Sequence, residues 1–248
     1  MCDNVSRRSI LTAAGIAPIG LAVSAAEAHA QSRRRVETTA PAPTANGRTL
    51  LNADQALALL RQGNETFVRG GQRQPDMSAA RRLELARGQA PFCAYVSCSD
   101  SRVPPELLFG RGLGELFIIR NAGNTVDTVA MGSIEYAVAV LGVPLVVVMG
   151  HEACGAVKAA MDVVNANARF PGSIDDMIEP IIPAVLEARG QAGDATENAI
   201  RQNVRRVVRR LREETDPILL QPQREGRVKV VGAYYRLDTG VVDFFDVA

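Results

Sequence analysis

The chain has 248 residues, a formal net charge of +1, 47% hydrophobic residues and no tryptophan. That length holds one substantial domain plus a tail, and the near-neutral charge excludes a global case for binding nucleic acid or an acidic surface. Four cysteines, Cys2, Cys93, Cys98 and Cys154, are too few and too scattered for a disulfide framework, and the body carries no apolar run long enough to span a membrane.

Residues 1–30 read as an address. Ser6-Arg7-Arg8-Ser9-Ile10-Leu11 is a twin-arginine pattern, and a modest apolar run from Ile10 to Val23 follows it, broken by Gly15, Pro18 and Gly20. Ala28-His29-Ala30 before Gln31 has the small-x-small form of a cleavage site. Ile10 stands where such signals commonly carry Phe, and Thr12 where they carry Lys. The expectation is a signal peptide, the twin-arginine export machinery as partner of the precursor, and a periplasmic or secreted mature form with no stable membrane span. Export of an already folded chain lets a thiolate metal site form in the reducing cytoplasm. Cleavage removes Cys2 and His29 and leaves one histidine and three cysteines.

Residues 31–50, rich in Arg, Thr, Pro and Ala without periodicity, read as a flexible linker to a single domain over residues 51–248. Asn52 caps a predicted helix running toward Val68, with Ala56, Leu57, Leu60 and Phe67 as apolar contacts, and Gly70-Gly71 ends it. A second amphipathic helix covers Ser78 to Arg87. Phe92 to Ser97 reads as a buried strand, Glu115 to Arg120 as another, and Val126 to Val140 as a helix. Leu145 to Met149 is near-continuously apolar, as a central parallel strand covered on both faces would be. A helix follows from near Cys154 to Val164, then helical stretches over Ile174–Ala188 and Thr196–Glu213. The last carries Arg201, Arg205, Arg206, Arg209, Arg210 and Arg212, which read as a solvated face, with a subunit contact as the alternative. Arg227 to Tyr235 is a strand, and Val241 to Phe245 an antiparallel edge strand paired through Asp238-Thr239-Gly240. Strand–helix alternation with apolar strands predicts an α/β fold with a mostly parallel sheet flanked by helices.

Two segments carry the chemistry, each where a predicted strand gives out. Cys98-Ser99-Asp100-Ser101-Arg102 precedes Val103-Pro104-Pro105, which neither continues a sheet nor starts a helix cleanly. An extended backbone there would set Cys98, Asp100 and Arg102 on one side. His151-Glu152-Ala153-Cys154 closes the central strand. Open α/β sheets place ligands at such strand ends. Cys98, His151 and Cys154 form a Cys₂His set with room for water in a fourth position, which is a catalytic zinc pattern, one ion per chain. Two thiolates neutralise Zn²⁺, so the water needs help in losing its proton. Asp100 is the candidate acceptor, with Arg102 holding it ionised. The competing arrangement makes Asp100 the fourth ligand in a closed state. Cys93, inside a strand and without charged company, reads as a core thiol.

These residues resemble the β-class carbonic anhydrases, which carry a Cys-x-Asp-Ser-Arg segment and a His-x-x-Cys-Gly segment. Gly88-Gln89, Phe117 through Asn124, Ser133 through Val138, Leu141-Gly142-Val143, Gly232 through Tyr235 and Thr239-Gly240 extend the likeness, which covers Asn52 to Ala248. The resemblance implies zinc on Cys98, His151 and Cys154, an Asp100–Arg102 dyad, and a small substrate cleft involving Gln89, Phe117, Tyr136 and Gly155, partly across a subunit boundary. It implies reversible hydration of CO₂ to bicarbonate and a proton by zinc-bound hydroxide. It also implies a homodimer or tetramer whose N-terminal helices pack on a partner subunit. The absence of Trp removes the usual form of a regulatory bicarbonate pocket found in some members, and Glu152-Ala153 stands where Ser or Thr and a small or acidic residue are commoner. The same motifs fit a relative that hydrolyses CS₂ or COS. A zinc-binding or bicarbonate-sensing protein without turnover would lack Asp100 or Arg102, and a purely structural zinc site would keep Asp100 on the metal.

Overall fold

Successive apolar residues along each strand face opposite sides of one sheet, and helices cover both. The structure, a computed structural model, describes residues 38–71, 74–213 and 216–247. The expected signal over residues 1–30 and the start of the expected linker lie outside the described residues. The elements are β1 (Thr38–Thr39), β2 (Thr44–Ala45), β3 (Arg48–Thr49), α1 (Ala53–Val68), β4 (Gln74–Pro75), α2 (Ala79–Leu85), β5 (Cys93–Cys98), α3 (Pro105–Phe109), β6 (Leu116–Asn121) and α4 (Thr128–Ala139). After them come β7 (Leu145–His151), α5 (Gly155–Ala166), α6 (Ile174–Ile178), α7 (Ile182–Glu187), α8 (Ala195–Glu213), α9 (Pro217–Arg224), β8 (Lys229–Tyr235) and β9 (Val242–Asp246).

The main sheet has the order β6-β5-β7-β8-β9. Its first four strands are parallel and β9 is antiparallel to β8, as expected. Cys93, Tyr95, Leu145, Val147 and Met149 join Leu60 of α1 and Phe109 of α3 on one face. Ala94, Val96, Val146 and Val148 meet Ile134 of α4 and Val204 and Val208 of α8 on the other. All seven residues of β7 are buried, in keeping with its apolar run.

The topology decides where a ligand can sit. From β5 the chain leaves through α3 toward β6, on the α1 side; from β7 it leaves toward β8 through helices that include α8, on the opposite side. Neighbouring strands whose connections part in this way open a crevice at their carboxyl ends. Cys98 ends β5 and His151 ends β7.

Local sequence explains most boundaries. Asn52 and Gln55 form a reciprocal capping box at the start of α1. Ser78 and Asp127 cap α2 and α4. Four readings need correction. Pro105 does start a helix: it is the first residue of α3, where the missing N–H has no helical partner to lose. Ile174–Ala188 is broken into α6, a 3₁₀ turn over Glu179–Ile181 and α7, because Pro180 and Pro183 cannot donate backbone hydrogen bonds. The expected linker is tied down from Thr38 onward: β1 pairs with β4, β2 with β3, and buried Ala42 donates its N–H to Glu115 Oε1 at 2.8 Å. Two arginines of α8 are engaged with the sheet, while Arg205, Arg209 and Arg210 stay exposed as expected. Arg201 Nη1 donates to Asp243 at 2.9 Å, and Arg212 Nη1 to Asp246 Oδ1 at 2.7 Å, so they join α8 to the antiparallel edge. Pro217–Arg224, which carries the mid-helix Pro222, was not foreseen as a helix. No helix among the described residues is long and apolar enough to cross a membrane.

Candidate metal centre

Ligand-bearing atoms of Cys98, His151 and Cys154 lie within 4.8 Å of one another, and all three residues are buried. Each is placed by a different local device. Cys98 closes β5 with Asn121 opposite it in the β6 register. His151 closes β7 and sits opposite Tyr235 of β8. Cys154 immediately precedes α5, where peptide dipoles favour a thiolate. Between the two ligands of the second segment, Ala153 turns the chain at φ +53°.

The histidine tautomer follows from its partner. Nδ1 lies 2.9 Å from the Glu152 carbonyl oxygen. A carbonyl only accepts, so Nδ1 carries the hydrogen and Nε2 the lone pair. Nε2 is buried with no hydrogen-bond partner. It faces Asp100 Oδ2 at 3.9 Å. Two unprotonated acceptors aimed into one buried space, beside two sulfurs, suit a cation. The Cys98 thiol is held well below its ordinary range, first by its hydrogen bond to the Cys154 thiol and further by His151 and the Gly123 amide, against the effect of burial. The same thiol–thiol bond and burial push Cys154 up, so one proton is shared out unequally between them. A soft Cys₂His donor set of this kind fits zinc, and three protein ligands leave one position open.

Asp100 is not among the clustered ligand atoms. Arg102 donates from Nε to Oδ1 at 2.9 Å and from Nη2 to Oδ2 at 2.7 Å, and its backbone N–H also donates to Oδ1 at 2.9 Å. That last bond closes a tight turn, so the segment does not stay extended beyond Cys98. The Arg102 hydrogen bonds hold the Asp100 carboxyl well below the usual carboxylate range. Of the two arrangements expected from sequence, this is the open one, with the carboxylate on the arginine.

Two further groups, to which the sequence motifs assign no role, hold the site. Arg120 of β6 donates from Nε to the Cys98 carbonyl at 2.9 Å and from Nη2 to the Asp100 carbonyl at 2.6 Å, pinning the segment that bears ligand and carboxylate. The Gly123 N–H donates to Cys98 Sγ at 3.4 Å. Gly123 has φ +72°, and a Cβ there would lie 2.5 Å from Ile181 Cδ1. Both residues sit in the Phe117–Asn124 segment, whose motif carried the only available signal.

The four expected cleft residues are not gathered around these ligands in the same way. Gly155 is adjacent, exposed at the first position of α5, with open space where a Cβ would go. Phe117 lies opposite Ala94, four residues back from Cys98 along β5, or about 13 Å at strand spacing. Its ring packs against Tyr136 at 6.0 Å between centroids. Exposed Gln89 precedes β5, at the opposite end of that strand from Cys98, in a shallow depression with Thr44 and Arg81. Within one chain these three residues stand apart from the metal ligands.

Comparison with known proteins agrees with this geometry. The family model described as "Carbonic anhydrase" matches residues 93–242. "Carbonic anhydrase 2" of Mycobacterium tuberculosis is 39% identical over 189 residues, covering 76% of this chain and 91% of that protein. The solved structure of the β-carbonic anhydrase CcaA superposes with a TM-score of 0.59 at 28% identity, covering 77% of this chain and 98% of that one. One of two tetrameric β-carbonic anhydrases from Sordaria macrospora gives a TM-score of 0.59 at 28% identity, covering 66% and 85%.

Proposed function

The chain belongs to the β-class carbonic anhydrases, and from that premise we propose how its own residues perform the reaction. The enzyme catalyses the zinc-dependent, reversible hydration of carbon dioxide to bicarbonate and a proton. The observation that carries this is the buried Cys98–His151–Cys154 group with an unpartnered His151 Nε2 at a strand-end crevice. Zinc held there supplies the Lewis acidity that makes water a nucleophile near neutral pH.

Cys98 and Cys154 contribute sulfur and His151 its Nε2, with the ring fixed by the Nδ1–H bond to the Glu152 carbonyl. Asp100 Oδ2 accepts a hydrogen bond from the attacking water and orients it toward the carbon of CO₂. Arg102 keeps that carboxylate ionised and, by holding both oxygens, would keep it off a bound metal. Arg120 holds the backbone beneath both.

The substrate cleft is completed by a second copy of the chain. Support comes from the separation of Gln89, Phe117 and Tyr136 from the ligands of their own chain, and from the surface that carries them. β6 is the open edge of the sheet, and beside it α4 exposes Tyr136 and, at 77% exposure, Val129. A partner seated there would bring those side chains to the other copy's crevice. A homodimer is the minimum unit, and the tetrameric relatives from Sordaria macrospora support a larger one. The twin-arginine pattern at Arg7-Arg8 and the small-x-small pattern at Ala28–Ala30 support export to the periplasm or beyond, with cleavage near Gln31.

Stopped-flow CO₂ hydration on the purified chain, with zinc content measured in the same sample, tests the activity. Full zinc occupancy without turnover at alkaline pH would refute it. Sedimentation tests the assembly, and a monomer at micromolar concentration refutes the shared cleft. Replacing Arg7-Arg8 by Lys-Lys tests export and should strand the chain in the cytoplasm.

A further inference from the structure

His151 and Cys154 are separated by only two residues, yet one closes a strand and the other introduces a helix. The chain must reverse in that space, and it does so by putting Ala153 in the left-handed region at φ +53°. A residue with a side chain is held there at a cost of about 1–2 kcal/mol. The loop keeps this shape only if bonds from outside it hold the backbone.

Glu152 takes part in three bonds, two of which reach outside the loop. Its N–H donates to the Tyr235 carbonyl at 2.8 Å, which extends the β7–β8 ladder by one rung. Its carbonyl accepts from His151 Nδ1 at 2.9 Å. Both use main-chain atoms that any residue would offer. The third belongs to the side chain alone: Oε2 accepts the Leu237 N–H at 2.8 Å, across 85 residues of sequence. Leu237 is well anchored, because it enters the tight turn before β9, where Arg236 N–H donates to the Val241 carbonyl and Gly240 N–H to the Arg236 carbonyl. The carboxylate therefore fastens the loop to a rigid corner of the sheet.

We propose that Glu152 is a positioning residue for the metal centre, its carboxylate holding the Leu237 amide so that the backbone between His151 and Cys154 keeps both ligand atoms in place. The inference rests on reading Cys98, His151 and Cys154 as zinc ligands. What matters is a hydrogen-bond acceptor at this point rather than a negative charge. Glu152→Gln keeps a carbonyl oxygen of the same reach, whereas Glu152→Ala leaves the Leu237 amide without its partner and the loop free to relax.

The test is the zinc dissociation constant of wild type, E152Q and E152A, measured by chelator competition, together with the visible absorption spectrum of each cobalt-substituted protein. Partners behind metal ligands typically contribute about 10–100-fold in affinity. E152A should lose affinity on that scale and show a changed cobalt spectrum, while E152Q keeps the wild-type affinity and spectrum. Wild-type affinity in E152A overturns the proposal, as does equal weakening in both variants. If E152A does not fold, E152M, which keeps the length of the side chain without its oxygen acceptor, takes its place: a loss of affinity with a changed spectrum beside an unchanged E152Q supports the role, and wild-type affinity in E152M overturns it. A wild-type chain that takes up no zinc is a separate outcome, which removes the metal reading itself.

Discussion

Arg102 grips both oxygens of Asp100, at 2.9 Å and 2.7 Å, and the oxygen held at 2.7 Å is the one that lies 3.9 Å from His151 Nε2. The pair is a surface-edge fork whose inner tine points into the buried crevice. Arg102 is half exposed while Asp100 is largely covered, so the arginine orients the carboxylate from the solvent side. A planar guanidinium matches both carboxylate oxygens at once, which a lysine cannot do.

Asp100→Asn should keep zinc and lose turnover. The amide can still accept from Arg102 with its one oxygen, but the atom left facing His151 Nε2 becomes a donor. It can no longer accept a hydrogen bond from the attacking water. The fall in CO₂ hydration is expected to be on the order of 100-fold or more, the range for losing a positioned proton acceptor. Stopped-flow rates beside zinc content measure it, and a wild-type rate in the variant refutes the role.

Removing zinc should expose an unequal pair of thiols. With the metal gone, Cys98 is the residue held as thiolate, while its neighbour Cys154 keeps the proton. Buried Cys93 is pushed up by desolvation and stays unreactive. Alkylation of the chelated protein at neutral pH, followed by peptide mapping, should mark Cys98 first, and added zinc should protect it. Labelling of Cys93 or Cys154 before Cys98 contradicts this ordering.

Gly123 is where the fold and the site meet, since it donates to the Cys98 sulfur from a left-handed conformation. Gly123→Ala would place a Cβ 2.5 Å from Ile181 and 3.1 Å from Ala156. Backbone strain and overpacking together should cost about 2–4 kcal/mol. Urea titration of the zinc-loaded protein reads this as a lower midpoint with an unchanged slope, and an unchanged midpoint refutes it.

The parts of the structure legible in sequence are those written in short, local patterns. The apolar runs Phe92–Ser97 and Leu145–Met149 and the Asn52 cap each report nearby contacts, and each sits in the element it predicted. The two ligand segments were legible because Cys, His, Asp and Arg at strand ends have little else to do. The bonds joining distant segments were not legible. Arg120 acts through two main-chain carbonyls, and Glu152 through an amide 85 residues away, so neither role leaves a spacing to read. Arg201 and Arg212 of α8 look solvated on a helical wheel, yet β8 and β9 lie close enough to accept their hydrogen bonds. Residues 38–49 have no periodicity, because their attachment comes from two-residue pairings and the Glu115 carboxylate. Whether Asp100 sits on the metal or on Arg102 is a choice between two geometries of the same residues, and composition cannot rank them.

Tyr234 should set part of the alkaline limit of stability. It is only 2% exposed, and its hydroxyl is pushed up from 10.0 to about 12, first by burial and then by the charges of Glu197 and Glu152, against Arg201 and Arg236. The folded state thus prefers the neutral phenol. That preference contributes fully below about pH 10, the unfolded value, and is lost as pH rises through about 12, because unfolding then releases a proton the native state retained. Tyr95 and Tyr235 are shifted in the same direction by burial, so the wild type should weaken steeply over this window. Tyr234→Phe keeps the ring that Arg201 covers at 4.5 Å while removing the ionisation. Its urea midpoint should fall less than that of the wild type between about pH 9 and about pH 11.5. Parallel losses in the two proteins would show that Tyr234 ionises alike in both states, and the alkaline limit would then belong to the other buried tyrosines.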